Sequence, residues 1–332
     1  AALAATPLDE TGAEVLLILA RPGEGLESHM KALRQLLNAG TDTMHNLQLV
    51  LLMGSELEML KSRQDFAFQS RFRVIPKMAG LYGGGKAVDI EEVVVQTDTL
   101  SFEDYLVARE YHLAISAFWN NGWFHDLIAL AESFGFEKFD WLEAVIERMR
   151  STQGGAGKFR GDFLRETQNE LFPTREACRE FYCREENFAK LLQGEIGDNL
   201  IYKYRAVASF RIWPAIVACA MEATLALIES RGARDEIEDL DALWTDLGQY
   251  IELGHAYGVT SAEVLADVSG TFSYDIAGWL AAGRPRDTRP FLHAKPVVYD
   301  FVYDEANRRH LAQALAVWSS ELKGLTRLVT RV

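Results

Sequence analysis

The sequence predicts an α/β amino-terminal part, then a mainly α-helical region, then a small α+β element at the carboxyl end. Three observations predict it. Two short apolar runs, Val15–Ala20 and Leu47–Leu52, flank one amphipathic stretch, the pattern of a parallel strand–helix–strand unit. From Thr99 to about Tyr257 nearly every segment has helical spacing. Beyond that, Gly270–Asp275 and Pro296–Phe301 read as short strands punctuated by Pro285, Pro290 and Pro296. The expected divisions are 1–98, 99–260 and 261–332.

The elements follow in order. Val15–Ala20 opens into Arg21-Pro22-Gly23-Glu24, a turn at a strand end. Leu26, Met30, Leu33 and Leu37 then fall on one helical stripe, and Gly40 stops it. Leu47–Leu52 opens into Met53-Gly54-Ser55-Glu56, and Glu56–Phe66 reads as a helix. Arg71–Pro76 and Ile90–Thr97 read as extended, the latter supported by Val93-Val94-Val95. Ser101 and Asp104 have the spacing of a capping box. The helix they start carries Tyr105, Ala108, His112, Ile115 and Trp119 on one stripe. Further helices are expected over Trp123–Phe134, Phe139–Arg150, Phe159–Leu171, Arg175–Gln193, Asp198–Ser230 and Glu236–Tyr257, and a closing one over Asp304–Leu328.

Composition narrows the function. The chain has 332 residues, 48% hydrophobic and 25% charged, as in an ordinary globular protein. A net charge of −14 argues against a nucleic-acid partner, which needs clustered Lys and Arg. Three cysteines, Cys178, Cys183 and Cys219, are too few for a disulfide framework and suit the cytoplasm. The Val207–Ile228 run is broken by Arg211, Pro214 and Glu222, so it reads as a buried helix and not as a membrane span.

Few segments carry a chemical signature. Gly80–Lys86 has P-loop spacing, but Ala87 stands where Ser or Thr must hold magnesium, and the segment lies between two extended pieces. It reads as a turn. The cysteine spacing forms no metal or cluster motif, so no metal ligands are assigned. His112 reads as a hydrogen-bonded core residue; His29 and the His125-Asp126 pair read as surface groups. No catalytic residue is assigned. Glu24, at a helix start, can accept a donor from a ligand or merely complement the helix dipole. Gln48, polar in an apolar strand, needs a partner, and a ligand can supply it.

The stretch Leu17–Gly25, with its Pro22-Gly23-Glu24 turn, and the stretch Gln48–Glu56, with its Gly54-Ser55-Glu56 turn, resemble the later strands of the partial TIM-like barrel in radical S-adenosylmethionine enzymes. The segments Phe72–Lys77, Glu91–Val95 and Thr99–Tyr105 are similar to the region after the barrel in the cobalamin-binding members. The resemblance spans about residues 14–150. It departs at Ala20, where the family has Gly, at Gly25, where it has Thr, and at Met53, where it has Pro. It implies that residues 1–98 are the C-terminal half of such a barrel. It also implies that Pro22, Gly23, Glu24, Gln48, Val50 and Leu52 lie near S-adenosylmethionine, with apolar side chains against its adenine. The parent enzyme would hold a 4Fe–4S cluster and a cobalamin, for methyl transfer or related radical chemistry. The three-cysteine cluster motif is absent from this chain. The expectation is therefore a C-terminal fragment, inactive as given, whose partner is the missing barrel half or a protein that covers the open sheet edge. The alternative expectation is a stand-alone, non-catalytic interaction scaffold built on half a barrel.

Overall fold

A computed structural model describes residues 14–120, 122–254 and 268–301, and scattered helical positions beyond 304. The protein is mixed α/β and divides into two compact units: residues 1–116 with 160–204, and residues 117–159 with 205–332. The helical stretch expected over 99–260 is thus shared between them.

The first unit begins with β1 (Glu14–Leu19), α1 (Leu26–Asn38) and β2 (Thr43–Gln48). The two strands pair in parallel, from Glu14 opposite Thr43 to Leu19 opposite Gln48. The second strand therefore lies earlier than the Leu47–Leu52 run expected from sequence. The reason is that residues after Gln48 change partners. The Leu49 amide still donates to the Leu19 carbonyl (3.0 Å), but Val50 bridges Val93 in antiparallel fashion and the Leu51 amide donates to the Glu92 carbonyl (2.8 Å).

After a short helix, α2 (Leu60–Asp65), comes the hairpin β3 (Gln69–Tyr82) and β4 (Gly85–Gln96). Gly80–Lys86, read as a turn, is the hairpin's tip and its flanks. Pro76 cannot donate to the ladder, and the register shifts between Val74 and Ala79 around it, with Lys77 at a φ of 66°. The β1–β2 pair and the β3–β4 hairpin are separate two-stranded sheets, linked where Val50, just past β2, bridges Val93 of β4, and Phe172 pairs with Phe72 of β3 through two backbone hydrogen bonds. The outer side of β1 has no partner among the described residues, and these residues form no closed barrel.

Ser101 caps α3 (Phe102–Ala114): its Oγ accepts from the Asp104 amide, and Asp104 accepts from the Ser101 amide, as the capping box predicts. Leu19, Leu49, Leu51, Val93, Val94 and Leu100 pack with Tyr105 and Ala108 into the core beneath this helix.

The chain continues into α4 (His125–Ser133) and α5 (Lys138–Ser151) of the second unit and returns along α6 (Ala156–Asn169). Then α7 (Arg175–Cys183) and α8 (Glu185–Gln193) cover the hairpin through Cys178, Tyr182, Phe188 and Leu191. These two replace the single expected helix, because Arg184 is extended (φ −61°, ψ 141°). Likewise the stretch expected over 198–230 is two helices, α9 (Leu200–Phe210) and α10 (Trp213–Ser230). Pro214 near the start of α10 lacks an N–H and cannot continue an earlier helix.

In the second unit α10 packs against α4, α5 and α11 (Leu240–Gly254). It is the one described helix long and apolar enough to cross a membrane, and half of its apolar window is buried. The antiparallel pair β5 (Val268–Tyr274) and β6 (Leu292–Phe301), joined through α12 (Ile276–Ala281), completes the unit. The expected closing helix over 304–328 lies largely outside the described residues.

Candidate functional site

The C-terminal ends of parallel strands are where α/β proteins present loops to ligands. At the end of β1 the backbone turns sharply. Ala20 is fully buried with a φ of 68°, and Gly23 follows with a φ of 73°. Gly54, in the turn beyond Leu52, has a φ of 79°. These left-handed conformations suit glycine, and Ala20 adopts one at the cost of crowding its Cβ.

The predicted residues are placed as follows. Pro22 is half-buried and Gly23 exposed. Glu24 is buried: one oxygen, Oε1, meets Arg21 (3.5 Å) and His29 Nδ1 (3.4 Å), while Oε2 is sealed with no partner. The Glu24 carbonyl accepts from the Thr99 hydroxyl, tying the loop to the segment before α3. Gln48 Oε1 accepts from Arg73 (3.1 Å). Val50 is half-buried in its bridge to Val93, and Leu52 is exposed. The strand ends carrying Glu24 and Gln48 are thus neighbours, but the two side chains enter different polar networks.

The first network runs inward from the loop. His29 is fully buried, not on the surface as its sequence setting suggested. The reason is that α1 turns this residue toward α3, where its Nε2 meets His112 Nε2 at 2.9 Å. His112 is the hydrogen-bonded core residue that its apolar stripe implied. Burial pushes the Glu24 carboxyl up, but His29 and Arg21 outweigh it and hold the group below its ordinary value. Burial, with the neighbouring His29 and Arg109, holds His112 well below the usual imidazole range. The other ring nitrogen, His112 Nδ1, is buried and has no hydrogen-bond partner.

The second network centres on Arg73. Its guanidinium donates to Glu91 (2.6 Å), Glu170 (3.1 Å) and Gln48. Burial opposes its charge, but Glu170 and Glu91 hold it above the ordinary arginine value. Burial raises the Glu170 carboxyl despite Arg73 and Arg109. Between the networks lies Arg109, 2% exposed, within electrostatic reach of Arg73, Glu170, Tyr105 and His112. Its Nε and Nη1 have no hydrogen-bond acceptor, and the guanidinium sits 5.2 Å from the Phe163 ring centroid. Burial lowers its pKa and raises that of Tyr105, whose hydroxyl is also unpartnered.

No protein-family model matches this chain, and no curated protein matches it.

A cavity of about 480 Å³ adjoins the end of the β2 run, lined by Leu51, Met53, Phe72, Glu92 and Arg175 among others. Glu92 is held there as a carboxylate: Arg63 bonds both its oxygens (2.6 and 2.9 Å), and Ser70 donates to it as well. No group of three or more His, Cys, Asp or Glu among the described residues can hold a metal.

Sequence reasoning missed Arg73, Arg109, Tyr105 and His29 as a connected set. The signal was present for two members, Tyr105 and Arg109. Tyr105, Arg109 and His112 fall at i, i+4 and i+7, so polar groups recur along a face that should be apolar.

Proposed function

We propose that the first unit is the closing segment of a radical S-adenosylmethionine partial barrel and contributes its last parallel strands and their loops to an S-adenosylmethionine site. One observation carries this reading: β1 and β2 run side by side in the same direction, the chain just past β2 bridges β4, and the outer side of β1 has no partner among the described residues. Parallel sheets are normally covered on both faces and extend beyond two strands. Leu16 and Leu47 of this pair are instead 56% and 44% exposed, so further polypeptide fits against them. The left-handed Ala20, at the position where the resembling family has glycine, supports it further.

The residues fit S-adenosylmethionine in part. The unpartnered Oε2 of Glu24 can accept from a hydroxyl or amine. Leu52 and Met53 offer exposed apolar surface to an adenine, and the adjoining cavity has the volume of a small-molecule site. They do not fit an iron–sulfur cluster. Cys178 and Cys219 are buried, each with a thiol that burial pushes up to about 12, and they lie in different units. Cluster ligands must come from other polypeptide, and no residue here is assigned to cobalamin. In this reading the remaining helices shape the substrate side of a cytoplasmic enzyme.

The test is anaerobic reconstitution of the protein together with its adjoining upstream coding region. Incubated with S-adenosylmethionine and dithionite, it should release 5′-deoxyadenosine. A preparation with an intact cluster that releases none overturns the reading.

A further inference from the structure

The cavity of about 480 Å³ lies wholly within the first unit, between the chain just past β2, the β3–β4 hairpin and the start of α7. That volume is in the range of small-molecule sites. Its apolar lining is Leu51, Phe72 and Met53. Leu51 is buried and Phe72 half-buried, while Met53 beside them is 87% exposed.

Charge decides what can enter. Glu58, Glu92, Glu176 and Arg175 line the cavity, and Arg63 adjoins it through Glu92. Three carboxylates against two guanidinium groups leave one negative charge in excess. The excess does not fall on Glu92, which takes two Arg63 nitrogens and the Ser70 hydroxyl. Arg175 is committed as well. It donates to the Ile90 carbonyl (2.6 Å), and its guanidinium lies 5.5 Å from the Phe72 ring centroid. Glu58 and Glu176 are left. Glu58 takes a 3.4 Å bond from the Gly54 amide and stands 3.9 Å from Arg63. The Glu176 side chain has no hydrogen bond or ion pair among the described residues; its charge favours the first turn of α7. These carboxylates are not grouped to share a bare metal ion, so the countercharge suits an organic cation.

We propose that this cavity binds an organic monocation, an ammonium group carried on an apolar body. Glu58 and Glu176 supply the countercharge, and the body covers Leu51, Phe72 and Met53. One positive charge cancels the excess, whereas an anion would face three carboxylates. The inference deepens the barrel reading, on which it rests for the guest's role as a second substrate beside S-adenosylmethionine.

The test is calorimetric titration of the full chain with three molecules that share a phenylethyl body: 2-phenylethylamine, 2-phenylethanol and 3-phenylpropionate. The amine should bind, the alcohol about tenfold more weakly, and the acid not at all. Added salt should weaken the amine and leave the alcohol unchanged. Glu58→Gln and Glu176→Gln, at positions open to solvent, should each weaken the amine about threefold and leave the alcohol unchanged. The double variant should bind amine and alcohol alike. Met53→Ala should weaken both by the same factor. The proposal is overturned if none of the three molecules binds, if the acid binds as tightly as the amine, or if the double variant binds the amine as wild type does. The amine should bind equally well with S-adenosylmethionine present. Mutual exclusion would give the cavity to S-adenosylmethionine and overturn the proposal too. None of these readouts needs an iron–sulfur cluster, so a failed 5′-deoxyadenosine assay strikes the barrel reading and leaves the binding result standing.

Discussion

The six described tryptophans, of the chain's seven, all fall in the second unit. The unpartnered buried polar atoms are distributed the other way. Seven of the nine described belong to the first unit, and the two in the second are single nitrogens of Arg205 and Arg284. In the second unit three large rings have their polar tips satisfied. Trp141 donates to Thr224 (2.8 Å), Trp213 to the Glu252 carbonyl (3.2 Å) and Trp279 to the Pro285 carbonyl (3.0 Å). Indole rings give large apolar burial, and with the N–H bonded that burial has no polar penalty. One unit is therefore built for packing, and the other tolerates groups that packing alone disfavours. Such tolerance is what a binding site requires.

The comparison can be broken most sharply at Trp141, which is fully buried. Trp141→Ala should destabilise the second unit by about 3–5 kcal/mol. Tryptophan fluorescence reports that unit alone, so a far-ultraviolet signal should show the first unit melting at its original denaturant concentration. A loss spread equally over both signals would join the two units into one cooperative block.

Acid should act in the opposite sense, on the first unit. His112 titrates in the folded state well below its ordinary 6.5. As pH falls through 6.5 the unfolded chain takes up this proton first, so folding stability is lost from there downward. Wild type should lose about 1.4 kcal/mol per pH unit relative to His112→Gln until the folded-state value is reached. Parallel pH profiles for the two proteins would remove the buried imidazole from the account.

Much of this arrangement was legible in the sequence, and its limits have physical causes. The capping box at Ser101 and Asp104, the α1 stripe and the hairpin turn depend on local chemistry, and all appear where local rules put them. The second strand was displaced because Leu47–Leu52 is apolar throughout, and composition cannot mark the residue at which one run changes from a parallel to an antiparallel partner. The breaks at Arg184 and before Trp213 interrupt stretches whose helical spacing continues across them. His29 was misplaced for a related reason. Its neighbours on the helix are polar, and its burial depends on a residue 83 positions away. In the site, only the loop residues were visible; Arg73, Arg109 and Glu170 converge from three elements that no local pattern links.

Smaller effects refine the contrast. Ser101→Ala should cost about 1 kcal/mol, the value of a helix cap, and should shift only the first unit's transition in urea. Ala20→Gly should stabilise that unit by about 0.5–1 kcal/mol, because the left-handed conformation penalises a Cβ. A destabilised Ala20→Gly protein would mean that the buried methyl matters more than the backbone conformation.

The account turns on β1 having been the neighbour of further parallel strands. The most direct measurement is the nucleotide sequence immediately upstream of the codon for Ala1. The account predicts an open frame encoding Cys-x-x-x-Cys-x-x-Cys within about 200 residues, one domain's length. An in-frame stop with no such motif before it would contradict it.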